Sequence, residues 1–281
     1  MHFETEAIVH AINQLQPKPD NFKDYYLPVV LGFLSASLGG LVAYFSIKYQ
    51  QTSQEEKEKL RSANIWTIQA LKALISLTTI KRHYAGKVND DPRHRALTVR
   101  LIVNNFSIID ADCSSLSFIV RKLEDSTGLK NDWRELTRIQ IMSDNYNLIL
   151  TILDQRNDLI RFINSNYRNP IDHNNGFTME SYLKTIPKEH LIRLIDLTER
   201  LIMFTDDILI EVHDFLNEFP LIAEGKINKS RIEKYGKVLK YSDNKESNLL
   251  NKTTQVNYSI LENLFGIPEQ DLRQEYSTGY E

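Results

Sequence analysis

Residues 25–47 read YYLPVVLGFLSASLGGLVAYFSI, 23 uncharged residues in a chain that is 25% charged. As an α-helix the run is ~34 Å long, slightly more than the ~30 Å hydrocarbon core of a bilayer. Asp24 and Lys48 close it, and Tyr25, Tyr26, Tyr44 and Tyr49 stand near its ends, where amphipathic rings favour the headgroup region. Pro28 falls in the first turn, where a missing N–H removes no bond. A cleaved leader fits less well. Glu4, Glu6, Asp20 and Asp24 precede the run, it outlasts the usual apolar core of a signal peptide, and the cleavage-like SAS at 35–37 lies in its middle. A buried core helix seldom stays uncharged for about six turns. The expectation is one transmembrane helix over 25–47, preceded by a short extramembrane segment, 1–24.

Within the run, Gly32, Ala36, Gly39, Ala43 and Ser46 are spaced 4, 3, 4, 3 and form a seam of small side chains, with Ser35 and Gly40 beside it. Lipid tails give apolar helices no reason to associate, so close backbone approach along such a seam supplies one. Self-association is expected there. Lys18 and Lys23 precede the run, whereas Lys48, Lys57, Lys59 and Arg61 follow it, which puts the C-terminal side in the cytoplasm by the positive-inside rule.

Beyond the span the pattern is helical. Over 48–85, Leu60, Asn64, Thr67, Leu71, Leu74 and Thr78 continue the 3/4 spacing past a charged collar, QEEKEK at 54–59. Ser53 and Glu56 offer a capping box, so a continuous helix and a fresh start remain open. Asp91-Pro92 starts a second helix, with Leu97, Leu101, Ile108, Cys113, Leu116, Val120 and Leu123 as its stripe, ending near Gly128. Asn131 caps a third, whose stripe runs from Trp133 through Leu136, Ile139, Tyr146, Ile149, Leu153 and Ile160 to Ile163. Pro187 opens a fourth, which ends at Pro220. The expected fold is all-α: the membrane helix, an antiparallel bundle of about four long helices over 48–220, and a partly ordered tail over 221–281.

Net charge is −3, which argues against nucleic acid as a partner for the chain as a whole. The tail is locally basic: eight Lys and Arg between 226 and 252, Lys229, Arg231, Lys234, Lys237 and Lys240 among them, stand against three acids. Such a patch beside a membrane suits anionic lipid. One cysteine, Cys113, excludes an intrachain disulfide and fits a reducing compartment. No phosphate loop, nucleophile elbow or metal-ligand spacing occurs, so neither cofactor nor metal is expected.

The stretch RNPIDH, Arg168 to His173, resembles the RNxxxH motif of HEPN-type ribonucleases, helical-bundle domains that cleave RNA as dimers. The resemblance covers six residues. It implies His173 as general acid/base on the ribose 2′-hydroxyl and Arg168 on the phosphate charge. Pro170 inside the motif, and the Asn-rich loop-like setting, depart from the family pattern. The functional expectation is a single-pass, membrane-anchored interaction or scaffold protein, homo-oligomeric through its seam, with coiled-coil character and a cytoplasmic bundle that meets a protein partner. A membrane-acting effector or toxin controlled by a partner, and a membrane-tethered ribonuclease, are the alternatives.

Overall fold

The structure, a computed structural model, describes residues 2–15, 22–121, 132–167, 183–242, 247–253 and 255–278. All its regular elements are helical; no strand occurs among the described residues. In chain order they are α1 (His2–Leu15), one wide π turn (Phe22–Tyr26), α2 (Leu27–Arg82), α3 (Pro92–Thr98) and a 3-10 segment (Cys113–Ile119). Then come α4 (Leu136–Asn166), α5 (Lys188–Lys226), α6 (Lys229–Ile232), a 3-10 turn (Ser247–Leu249), α7 (Tyr258–Phe265) and α8 (Glu269–Glu275). The chain divides into two compact units, Met1–Glu55 and Glu56–Glu281.

Helix α2 runs unbroken past Ser53 and Glu56, which settles the open choice in favour of one helix. The charged collar is only partly solvated. Glu56 is buried and its carboxylate accepts the Asn228 N–H at 2.6 Å and a Lys59 ammonium hydrogen bond at 2.6 Å. Burial alone would raise its carboxyl, but these hydrogen bonds outweigh it and hold the group below its ordinary value.

In the second unit, α5 runs antiparallel to its two long neighbours. Trp66 and Tyr84 of the α2 side meet Phe215 and Asp206 of α5, while Arg138 and Arg156 of α4 meet Glu211 and Thr198. One residue number rises as its partner's falls in both series. Trp66, Trp133 and Phe215 interlock edge-to-face, with Phe219 stacked on Phe215, at the centre of one apolar core. Trp133 contributes from the turn before α4, which starts at Leu136; Asn131, expected as its cap, lies outside the described residues.

The second long helix does not form. Asp91 caps α3 as the sequence implied, accepting the Arg93 N–H at 2.9 Å, but α3 ends at Thr98 and residues 99–112 form no regular element. The reason is local. VRLIVNNFSIID places β-branched residues, Asn and Ser in succession, all poor helix formers. Side chains of α4 then take the roles that helical carbonyls and amides would have played. Asn157 accepts the Ile102 N–H at 3.2 Å and donates to the Ile102 carbonyl at 2.7 Å. Asn147 clasps Ile109 the same way, at 2.9 Å in both directions. Consequently Ile102, Ile109 and Ile119 are buried, while Ile108 and Val120 of the expected stripe face solvent. Among the described residues, α2, α4 and α5 are the long helices around the core, one fewer than expected.

Nor does the fourth expected helix end at Pro220. Helix α5 carries that proline inside it and continues to Lys226. Losing an interior hydrogen bond to proline costs about 3 kcal/mol. Burial of Phe219, Ala223 and Ile227 around it offsets that penalty. The expected tail is also more ordered than its composition suggested. Ile232, Val238, Leu261, Leu272 and Tyr276 all belong to the core.

Candidate functional site

Helix α2 is long and apolar enough to cross a membrane, and none of its apolar window is buried within the chain. Val29, Phe33, Leu38 and Val42 each expose more than half of their surface. Gly32, Gly39 and Gly40 have open space where a side chain would project, so none of the described residues occupies the small-residue seam. Ala36, Ala43 and Ser46 are exposed with them.

The basic stretch is not a free tail but a strap on the first turns of the second unit. Beyond the Glu56–Asn228 bond, Asn64 donates to the Lys237 carbonyl at 3.1 Å and accepts the Leu239 N–H at 2.8 Å. Lys57 sits 3.7 Å from the Tyr235 ring centre. Gly236, at φ +130°, lets the chain turn from α6 into this extended run, a conformation L side chains rarely adopt. Two of the expected lipid-facing lysines are engaged within the strap. Lys240 and Lys229 converge on Glu224 at 2.7 and 2.9 Å, and their hydrogen bonds hold that carboxyl down at about 2. Lys234 and Lys237 are exposed; Arg231 is partly covered. Lys252 pairs with Asp207 at 2.7 Å.

A third group of charged residues is buried and was not expected. Lys81 and Asp206 pair at 2.8 Å, each almost fully buried, and Tyr84 donates to the same carboxylate at 2.8 Å. The other carboxylate oxygen accepts the Thr253 N–H at 2.5 Å, and Lys81 donates to the Asn251 carbonyl at 2.7 Å. Burial, then the Asp206 charge, raise the Tyr84 hydroxyl well above its ordinary value. Nearby, Arg95 lies 3.1 Å from Glu199 and donates to the carbonyls of Gln255 and Asp90. These charges bind the segment around Asn251, Thr253 and Gln255 into the core. Lys81, Asp206 and Arg95 act as internal staples, since each already bonds the chain's own backbone. One signal was visible in sequence, Glu199 and Asp206 standing seven residues apart on the apolar face of α5.

Arg168 and His173 lie outside the described residues. Among the described residues no three His, Cys, Asp or Glu side chains converge as a metal ion would require. Cys113 is half-covered, and burial, with Asp112 and Asp144 adding to it, pushes its thiol up to about 11, which keeps it protonated and unreactive. No protein-family model, no curated protein and no solved structure matches the chain.

Proposed function

We propose that the chain is a membrane-anchored helical interaction protein. Residues 25–47 cross the bilayer once, the seam Gly32, Ala36, Gly39, Ala43 and Ser46 joins copies within it, and the helical unit after residue 48 faces the cytoplasm to meet a protein partner. The observation that supports this reading best is the uncovered apolar window of α2. Left in water, that surface is far larger than a soluble monomer exposes. In membranes from expressing cells the chain should resist alkaline carbonate extraction. Replacing Leu34 and Leu38 by Arg, at about 2.5–3.5 kcal/mol each near a helix centre, should release it to the soluble fraction. A wild-type chain that carbonate extracts would sink the anchoring reading.

The seam has its own test. Gly39→Ile with Ala43→Ile should convert the detergent-solubilised oligomer to a monomer, because bulky groups block backbone approach. Unchanged native mass would remove the seam from the reading.

Anionic lipid is the proposed ligand of the strap. Nine positions take the chain from Ile47 to Glu56, and no conformation of that linker reaches beyond about 32 Å. The strap is fixed to Glu56 and Asn64, the part of the chain that follows the proposed span in sequence. With Lys229 and Lys240 shared with Glu224, the exposed Lys234 and Lys237 carry the attraction. Each charge near an anionic surface is worth about 1 kcal/mol, screened over ~8 Å at physiological salt. A fragment beginning at Ser53 should bind phosphatidylserine vesicles but not phosphatidylcholine vesicles, and release them as salt rises. Changing Lys234 and Lys237 to Gln should weaken binding roughly tenfold or more, about 2 kcal/mol. Equal partitioning to both vesicle types would show that lipid charge is not what the strap reads.

A further inference from the structure

Half of α2 serves the core and the opposite half is uncovered. From Leu60 onward the buried side comprises Ala63, Trp66, Ala70, Ala73, Leu77 and Ile80. The exposed side includes Arg61, Ile65, Ile68, Lys72 and Ile75, spaced 4, 3, 4, 3. Three isoleucines in that stripe are 38%, 42% and 59% exposed, and Leu71 beside them 37%. Long helices of a globular unit turn their apolar faces inward, so an isoleucine seam left open on a surface helix is the departure to explain.

Helical arithmetic along the sequence identifies what fits it. At 3.6 residues per turn, about eight turns take 29 residues. Adding 29 to Gly32, Ala36, Gly39, Ala43 and Ser46 gives Arg61, Ile65, Ile68, Lys72 and Ile75, the exposed stripe residue for residue. A strict seven-residue repeat instead leads from the same small residues to Leu60, Asn64, Thr67, Leu71 and Leu74, three of which, Leu60, Thr67 and Leu74, the core already buries. The two stripes therefore share the period of an ordinary, unsupercoiled α-helix.

We propose that a second copy of this chain covers the Ile65–Ile75 stripe, the two α2 helices lying side by side in parallel. This rests on the membrane-anchored reading above: copies inserted the same way round present the stripe in parallel, and confinement to one bilayer raises their effective concentration. Parallel, self-complementary packing needs each residue to meet its own counterpart or near neighbour. Isoleucines at 65, 68 and 75 do so, and β-branched side chains suit such seams. Lys72 interrupts the isoleucines, and a groove of about 410 Å³ lies beside it, lined by Gln69, Phe106, Ile108 and Asp110 as well. The Asp110 carboxylate in that groove accepts from the neutral Gln69 amide at 2.7 Å. In the pair, Lys72 of one copy reaches toward Asp110 of the other, so the charge set among the isoleucines gains a counter-charge.

Cross-linking of the full chain in native membranes tests this, in a Cys113→Ser background. Ile68→Cys and Ile75→Cys should be joined by a short bis-maleimide into dimers severalfold more than Ile141→Cys, a comparably exposed position on α4. With Ile65→Cys as the reporter, Ile68→Glu plus Ile75→Glu should abolish the dimer band while the helical circular dichroism is kept. Yields at 68 and 75 no greater than at 141 would overturn the proposal. Carbonate extraction of the same membranes is read separately. A chain that stays in the membrane without stripe cross-links rejects the stripe alone, and a chain that carbonate extracts rejects the anchor.

Discussion

Arg156→Ala should lower the unfolding free energy of the helical unit by on the order of 4 kcal/mol, one of the two largest effects expected of any single change. Arg156 is fully buried on α4, and no carboxylate pairs with it among the described residues. Instead its guanidinium donates to the Thr198 hydroxyl at 2.8 Å, to the carbonyls of Ala96 at 3.2 Å and Arg100 at 3.4 Å, and to the Val99 carbonyl. Burial pulls its pKa down to about 9. Removing the side chain leaves those carbonyls without a donor in a site closed to water, and leaves a void. Both penalties act together. Arg156→Lys keeps the charge but not the planar fork, so it should recover only part of the loss. Urea unfolding of the full chain in detergent, followed by circular dichroism, measures the difference. Amide exchange locates it: protection at Ile102 and Ile109 should fall first, because Arg156 fixes the carbonyls of Ala96, Val99 and Arg100, from which the irregular segment departs. An Arg156→Ala chain as stable as wild type would mean that water satisfies those carbonyls.

How far the sequence foretold this arrangement depends on which forces shape each element. The long apolar helix that starts at Leu27 was legible as a helix because its uncharged run carries its one proline in the first turn and no other strong stop signal. Helices α4 and α5 were legible because their stripes, Ile139 to Ile163 and Leu194 to Phe219, repeat at the helical period without interruption. Residues 99–112 were not, because Leu101, Ile108 and Leu116 mimic that period while the backbone is held by Asn147 and Asn157, 38 and 55 positions away from their partners. The run of Val, Ile and Asn was the available warning, and intrinsic propensity outweighed the pattern. Pro220 misled for the opposite reason: tertiary burial of Phe219 and Ala223 overrode a local breaker. The strap was invisible as structure, since a basic composition says nothing of Asn64 reaching across 173 positions to the Lys237 carbonyl.

The second large effect is a pH dependence centred on Glu199. Its carboxylate is almost fully buried 3.1 Å from the Arg95 guanidinium, yet both of its oxygens lack an aligned hydrogen bond among the described residues. Burial dominates, lifting the carboxyl from an ordinary 4.5 to about 7; Arg95 opposes this, while Asp196 and Asp91 add to it. The sign follows from proton counting. Below about pH 4.5 the group is protonated whether the chain is folded or not, and above about pH 7 it is ionised in both states. In between, the folded chain keeps a proton that the unfolded chain has released, so stability must fall as pH rises across that window. An upward shift of this size corresponds to on the order of 3 kcal/mol. Other carboxylates titrate in the same range with the opposite slope, so the wild type alone does not isolate it. Glu199→Gln does. The stability of wild type minus that of the variant should decline by on the order of 3 kcal/mol between about pH 5 and pH 8, whatever its value at the acid end. Ionised Glu199 compensates Arg95 poorly without aligned hydrogen bonds. A double change to apolar side chains of similar size, Glu199→Leu with Arg95→Met, should therefore be far milder at about pH 8 than Glu199→Leu alone, which strands the guanidinium. A wild-type-minus-variant difference that stays flat across the same range would show that Arg95 and the backbone around it hold Glu199 ionised throughout.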